Sequence, residues 1–237
     1  MSFNAKKCNV LHLSRFKRKG HPVRFYDISD TILSAVSSAK YLGILISNDL
    51  SWSPHISTIA HKAHQRLGFV RRNLRGCPYA YRETAYQSLI RSQMEYCGAI
   101  WDPTTKAATD SLERVQRKAA RWARGVYGVT SVTGLLKELG WAEMKDRRRN
   151  QCMTIIFKIL NNLIAIEQDT LDIKPARRPQ RNRHKNQLLR PTASDPHSPL
   201  WQSTVYRSIP EWNILPAPAA EAESLEVFKN QLVAVAP

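Results

Sequence analysis

The chain is short of negative charge: Asp and Glu number 19 against 36 Lys and Arg in 237 residues, a formal net charge of +17. Self-repulsion at that excess costs stability, and its natural physical counterpart is a polyanion. Nucleic acid is the first candidate and an anionic membrane surface the second. Cysteine is sparse too. Cys8, Cys77, Cys97 and Cys152 stand far apart, with no Cys-x-x-Cys and no Cys–His knuckle, so neither a zinc site nor a disulfide framework is supported. Long apolar runs are missing. The most apolar stretch, 154–166, is broken by Lys158, Asn161 and Asn162 and is too short and polar to span a bilayer. Lys6, Lys7 and Arg15 are not followed by an apolar core, which argues against a signal peptide. The expectation is an intracellular protein with reduced thiols, cytoplasmic or nuclear. A Walker loop, a Gly-x-Ser-x-Gly elbow and a Gly-x-Gly-x-x-Gly turn are all missing, and no credible active site replaces them.

A hydrophobic content of 43% is enough to build a core. Up to about Asn48 the pattern is that of strands: Cys8–Leu13 alternates, Val23–Ile28 is short and β-rich, and Tyr41–Ile46 is a stronger run. A small antiparallel sheet or meander is predicted. Helices take over at Ser53-Pro54, an N-cap followed by proline at the first helical position. Ile56, Ile59, Ala63, Leu67, Val70 and Leu74 then share one face. A second helix from Pro78 is predicted to bury Tyr86, Leu89, Ile90 and Cys97 and to break at Asp102-Pro103. A third, from about Lys106 to Arg124, turns Leu112, Val115, Ala119 and Trp122 inward and stops at Gly125. A short helix ending near Gly140 and a longer one carrying Met144, Ile155, Ile156, Ile159 and Leu163 follow. From Pro175 cations lie among Pro, Gln and Asn without periodicity, as in a mobile basic linker. Order signals return at Trp201, Trp212 and 224–232. The fold class is therefore α+β, mainly α: a small N-terminal antiparallel β element, a helical bundle and a basic irregular C-terminal segment, with boundaries at 1–50, 51–166, 167–200 and 201–237.

Candidate functional residues are cations. Lys62 and Arg66 lie four apart on the first helix, and Arg71, Arg72 and Arg75 crowd its end. On the third helix Arg114, Arg117, Lys118, Arg121 and Arg124 form a stripe that like-charge repulsion leaves badly compensated, with slight relief from Glu113. Phosphates would supply the missing charge. Arg177, Arg178, Arg181, Arg183 and Lys185 add a third group in the linker. The bland alternative is a solvated surface with cations favourably placed at helix ends. Two such helices plus the linker favour the binding reading. Trp101, Trp122 and Trp141 fall at apolar positions or junctions and are assigned to the core rather than to base stacking. His55, His61 and His64 are read as surface histidines and Asp169 and Asp172 as turn or cap residues; no metal is expected.

Several segments, taken in order, resemble the region after the catalytic palm motif in LINE-type (non-LTR) retrotransposon reverse transcriptases of the jockey and related clades. They are Lys7-Cys8-Asn9-Val10, Lys40-Tyr41-Leu42-Gly43-Ile44, Leu50-Ser51-Trp52-Ser53-Pro54, Leu67-Gly68-Phe69-Val70-Arg71-Arg72, Glu95-Tyr96, Trp101-Asp102-Pro103, Leu112-Glu113-Arg114-Val115-Gln116-Arg117-Lys118, Leu139-Gly140-Trp141, Arg147-Arg148, Trp212-Asn213-Ile214-Leu215-Pro216 and Ser224-Leu225-Glu226-Val227-Phe228. Ser92 departs from the family's usual proline after arginine, and Thr204-Val205-Tyr206 from a more aromatic stretch. The resemblance implies that 1–50 is the end of the palm with a primer grip at Tyr41, Leu42 and Gly43. It implies that 51–166 is a thumb holding a template–primer duplex. The family's catalytic aspartates precede the Lys7-Cys8 strand, so these residues alone are not expected to polymerise. Mg2+ is implied only for the intact polymerase and no cofactor for this chain. Expected partners are RNA, an RNA–DNA hybrid or DNA, gripped by the backbone, and alternatively the upstream polymerase core; oligomeric state is left open. Rival readings are a stand-alone helical RNA-binding or ribonucleoprotein assembly protein and a non-functional remnant of a truncated element.

Overall fold

A computed structural model describes residues 4–14, 25–128, 131–166, 171, 173–176, 183–189 and 203–234. It is α+β and mainly α. The chain divides into two compact units, Met1–Thr58 and Ile59–Pro237.

In the first unit the strands are β1 (Asn9–Leu11), β2 (Asp27–Ile28), β3 (Thr31–Ile32), β4 (Ser34–Val36), β5 (Ser38–Tyr41) and β6 (Ile44–Ser47). They pair two by two, and the expected all-antiparallel element is corrected in one pairing. β2–β3 and β5–β6 are antiparallel hairpins, but β1 runs parallel to β4, with Asn9 opposite Ser34 and Leu11 opposite Val36. The Ser34 hydroxyl donates to the Asn9 side-chain oxygen at 2.9 Å and fixes that register. The expected single strand Tyr41–Ile46 is also corrected: Leu42 and Gly43, at φ +46° and +90°, fold it into a hairpin. Two successive positive φ values are the signature of a type I′ turn, whose twist matches its strands. Val23 lies outside the described residues.

Helix α1 spans Ser53–Asn73. Ile56, Ile59, Ala63, Leu67 and Val70 are buried as their spacing predicts, and Leu74 is half-buried. His55, read as a surface residue, is instead buried, and its Nδ1 accepts the Leu45 amide at 3.2 Å, so the first turn of the helix pins β6.

The second unit begins within α1. Helix α2 (Tyr79–Tyr86) passes into a π-helical turn, Gln87–Arg91, and then α3 (Ser92–Glu95). A π turn inserts an extra residue into the repeat. Tyr86, Ile90 and Met94 therefore become the buried row, while Leu89, expected inside, is exposed, and Cys97 lies beyond the helix at φ +51°. Helix α4 is Lys106–Arg124, α5 Val132–Glu138 and α6 Met144–Leu160. Leu163 lies past the end of α6 and is exposed. Tyr86 stacks on Trp141 at 4.4 Å between centroids, and the Trp101 indole donates to the Tyr96 carbonyl at 2.9 Å.

Helices α7 (Thr204–Asn213), α8 (Ala217–Ala220) and α9 (Leu225–Ala234) complete this unit. Met153, Ile156, Phe157 and Ile159 of α6 form one core with Tyr206, Ile209 and Trp212 of α7 and Phe228 and Leu232 of α9. The Phe157 and Phe228 rings stack at 4.3 Å. The segment 203–234 is thus built onto the same helix that closes the bundle. The linker expectation also needs correcting over 183–189. His184 is buried and its Nε2 donates to the Trp212 carbonyl at 2.9 Å, while the Trp212 indole donates to the Asn186 carbonyl at 2.8 Å. Leu188 is buried and bridges Pro175. Hydrogen bonds to a buried tryptophan order this stretch, where composition alone predicted mobility.

Candidate nucleic-acid interface

Helix α4 is held at both ends by its own sequence. The Thr105 side chain accepts the Ala108 amide at 3.3 Å, and Gly125 takes the left-handed C-cap position at φ +67°. Its inner face is keyed to the start of α6. The Glu113 carboxylate accepts the Lys145 amide at 2.8 Å and the Gln116 amide donates to the Ala142 carbonyl at 2.8 Å. Burial raises the Glu113 carboxyl above its ordinary range, while the Lys145 and Met144 amides pull it back. Glu113, expected to relieve the cationic stripe, is turned away from it to serve an N-terminus that needs acceptors.

With that face fixed, Arg114, Arg117 and Lys118 are exposed and Arg121 is half-buried. The four line one open groove of about 480 Å³ with Val132, Thr133 and Leu136 of α5 and with Glu143. The Glu143 carboxylate is paired with Lys145 at 2.7 Å. Among the described residues no carboxylate forms an ion pair with any of the four cations. α1 lies close on their other side: burial first, then Lys118, Arg114 and His61, push the His64 imidazole below its ordinary value. The imidazole resists protonation chiefly because it is partly buried, and the nearby cations add to that effect.

Arg71, Arg72 and Arg75 gather in a second groove of about 800 Å³, with Gly68, Tyr79, Arg82, Trp122, Gly125 and Tyr127. They too have no ion-pair partner among the described residues. Tyr79, Arg82 and Tyr127 were not singled out by the sequence. The signal available was weak: tyrosines just after a helix-starting proline and just after a helix-stopping glycine, far apart in the chain. Trp101, Trp122 and Trp141 are buried, as expected.

Other predicted cations are placed differently. Arg66 donates to the Leu89 carbonyl at 3.2 Å, on the side of α1 that meets the π turn. Lys62 is exposed. Arg124 joins neither groove; it bridges Glu83 at 3.0 Å and Glu138 at 3.3 Å, so it ties α2 and α5 to α4. Arg183 donates to the Asn213 carbonyl at 3.1 Å, and Lys185 pairs with Glu221 at 3.7 Å while its amide donates to the same carboxylate at 2.7 Å. All three make contacts within the fold, with carboxylates and carbonyls distant in sequence. Arg177, Arg178, Arg181, Asp169, Asp172 and Trp201 lie outside the described residues. In the first unit Tyr41 and Leu42 stand exposed with Gly43 at the tip of the β5–β6 hairpin.

Among the described residues no group of His, Cys, Asp or Glu is placed to hold a metal ion, and no helix is long and apolar enough to cross a membrane. No family model, no curated protein and no solved structure matches the chain.

Proposed function

We propose that the Ile59–Pro237 unit grips nucleic acid by its sugar–phosphate backbone, in the manner of the thumb of a LINE-type reverse transcriptase. The observation that carries this reading is the α4 groove, where Arg114, Arg117, Lys118 and Arg121 converge with no ion-pair partner among the described residues, the lining carboxylate of Glu143 being paired with Lys145 instead. Long flexible cations that lack acidic partners suit phosphates, whose contacts position a duplex and do not read its sequence. The ligand is an RNA–DNA hybrid or an RNA or DNA duplex, recognised by backbone shape. The Tyr41-Leu42-Gly43 hairpin tip is the proposed primer contact, supported by its exposure and by the family resemblance of its strands.

Charge reversal tests the reading. Arg117→Glu with Arg121→Glu is expected to weaken binding of every duplex sequence alike and to reduce the slope of log affinity against log salt by about 2. The same charge change at exposed positions outside the grooves, Lys106→Glu with Lys229→Glu, should leave that slope nearly unchanged. Equal losses from both pairs, or loss confined to one sequence, would contradict a backbone grip at α4.

A further inference from the structure

The second groove has a composition that the first lacks. Arg71, Arg72 and Arg75 leave the last turn of α1 and the residues after it, and two tyrosines stand among them. Tyr79 is 51% exposed and Tyr127 68% exposed, high values for rings of this size. The Tyr79 ring is held from beneath. The Arg82 guanidinium lies 5.2 Å from its centroid, and that guanidinium is itself fixed by the carbonyls of Arg75 at 2.9 Å and Trp122 at 3.3 Å. One edge of the ring abuts Gly125, where an added Cβ would come within 3.2 Å of Cε1 and Oη. The left-handed C-cap of α4 thus requires glycine for its backbone and, by lacking a side chain, also admits the tyrosine. An exposed aromatic ring braced by an immobilised cation is preorganised for a planar partner.

Duplex bases are stacked on each other and present no face to such a ring. Unpaired bases do, and base–aromatic stacking between phosphate-binding cations is the general device of single-strand binding. We propose that this groove holds an unpaired stretch of nucleic acid, RNA or DNA, with bases stacked on Tyr79 and Tyr127 and phosphates on Arg71, Arg72 and Arg75. The site deepens the backbone-gripping reading and rests on it: a strand held here is the single-stranded continuation of the nucleic acid gripped at α4. The exposed rings, with no acidic residue lining the groove among the described residues, distinguish it from an ordinary solvated helix end, where cations would stand alone.

The test is anisotropy titration of the full chain with labelled oligouridylate RNA, oligothymidylate DNA and a blunt RNA–DNA hybrid. Tyr79→Ala with Tyr127→Ala is expected to weaken single-strand binding by about tenfold or more, with hybrid affinity changed less than about twofold, since stacking needs an unpaired base. Tyr→Phe at both positions should retain single-strand affinity. Tyr127→Ala alone, at an exposed position whose ring makes no hydrogen bond or ring contact among the described residues, should give a partial loss in the same direction and serves if the double variant misfolds. Tyrosine-dependent binding of either single strand supports the site. Single-strand affinity indifferent to all three variants overturns it, as does an equal loss for the hybrid. If the parent chain binds the hybrid and loses it on Arg117→Glu with Arg121→Glu while the tyrosine variants do nothing, the stacking site alone fails. If the parent chain binds none of the three probes at low salt, both readings fail together.

Discussion

Asp102 decides more at the level of single side chains than any residue of the grooves. It accepts from Arg148 at 3.1 Å and also pairs with Arg207 of α7, and Arg148 is only 1% exposed. Replacing Asp102 by alanine leaves a buried guanidinium without its counter-charge, a change that costs about 3 kcal/mol or more. Urea unfolding should show that loss as a lowered midpoint. The sequence marked Trp101-Asp102-Pro103 only as a helix break and a point of family resemblance; the partner lies 46 residues away, beyond any local pattern. Glu95 pairs with Arg147 in the same manner. Several residues that carry the resemblance are therefore scaffold contacts. His64 supplies a second prediction. Burial, then Lys118, Arg114 and His61, hold its imidazole below the ordinary 6.5. The folded form then favours neutral His64, so the unfolded chain takes up the proton first as pH falls. Stability from this residue is present above about pH 6.5 and is lost progressively below it. His64→Gln should flatten that part of the pH dependence of the urea midpoint; an unchanged pH profile would contradict the lowered basicity that burial, with the nearby cations, gives this imidazole.

Among the elements, the long periodic helices were the legible ones. α4 spans Lys106–Arg124 as its pattern and its stop at Gly125 predicted, and the buried row of α1 follows its spacing through Val70. Elements whose form depends on backbone geometry were not legible. The π turn Gln87–Arg91 leaves no periodic trace strong enough to move Leu89 outward in advance, although the unusual Ser92 directly follows it. The β5–β6 hairpin was hidden because its turn is Leu-Gly rather than the Asn-Gly that a type I′ turn favours. Leu42 sits at φ +46°, a conformation costing a β-carbon-bearing residue about 1 kcal/mol. Leu42→Asn should accordingly stabilise the hairpin by about 1 kcal/mol, read as slower hydrogen exchange at Tyr41 and Ile44. The same substitution should weaken primer contact if the strained, exposed leucine is kept for function. Cations on helices were legible as a set but not by role: only packing decides that Arg124 is paired while Arg121, among the described residues, is not.

At the scale of the whole molecule, the described cations include three distinct groups. Some of it is structural, in the bridges of Arg124, Arg147, Arg148 and Lys185. Some is collected in the α4 groove, and some in the tyrosine-containing groove at the end of α1. Net charge in the sequence predicted a polyanionic partner; the structure adds which of the described cations are engaged in ion pairs within the fold. The C-terminal segment was the least legible part. Its Trp212, His184 and Asn186 contacts join residues 26 to 28 positions apart and turn an apparent linker into wall material for the core of α6, α7 and α9. The central claim, a grip on phosphates by unpaired cations, is tested most directly by a salt series. If about six phosphates are contacted, affinity of the full chain for an RNA–DNA hybrid should fall on the order of a thousandfold between about 50 and about 200 mM salt. An affinity that stays flat across that range would contradict the account.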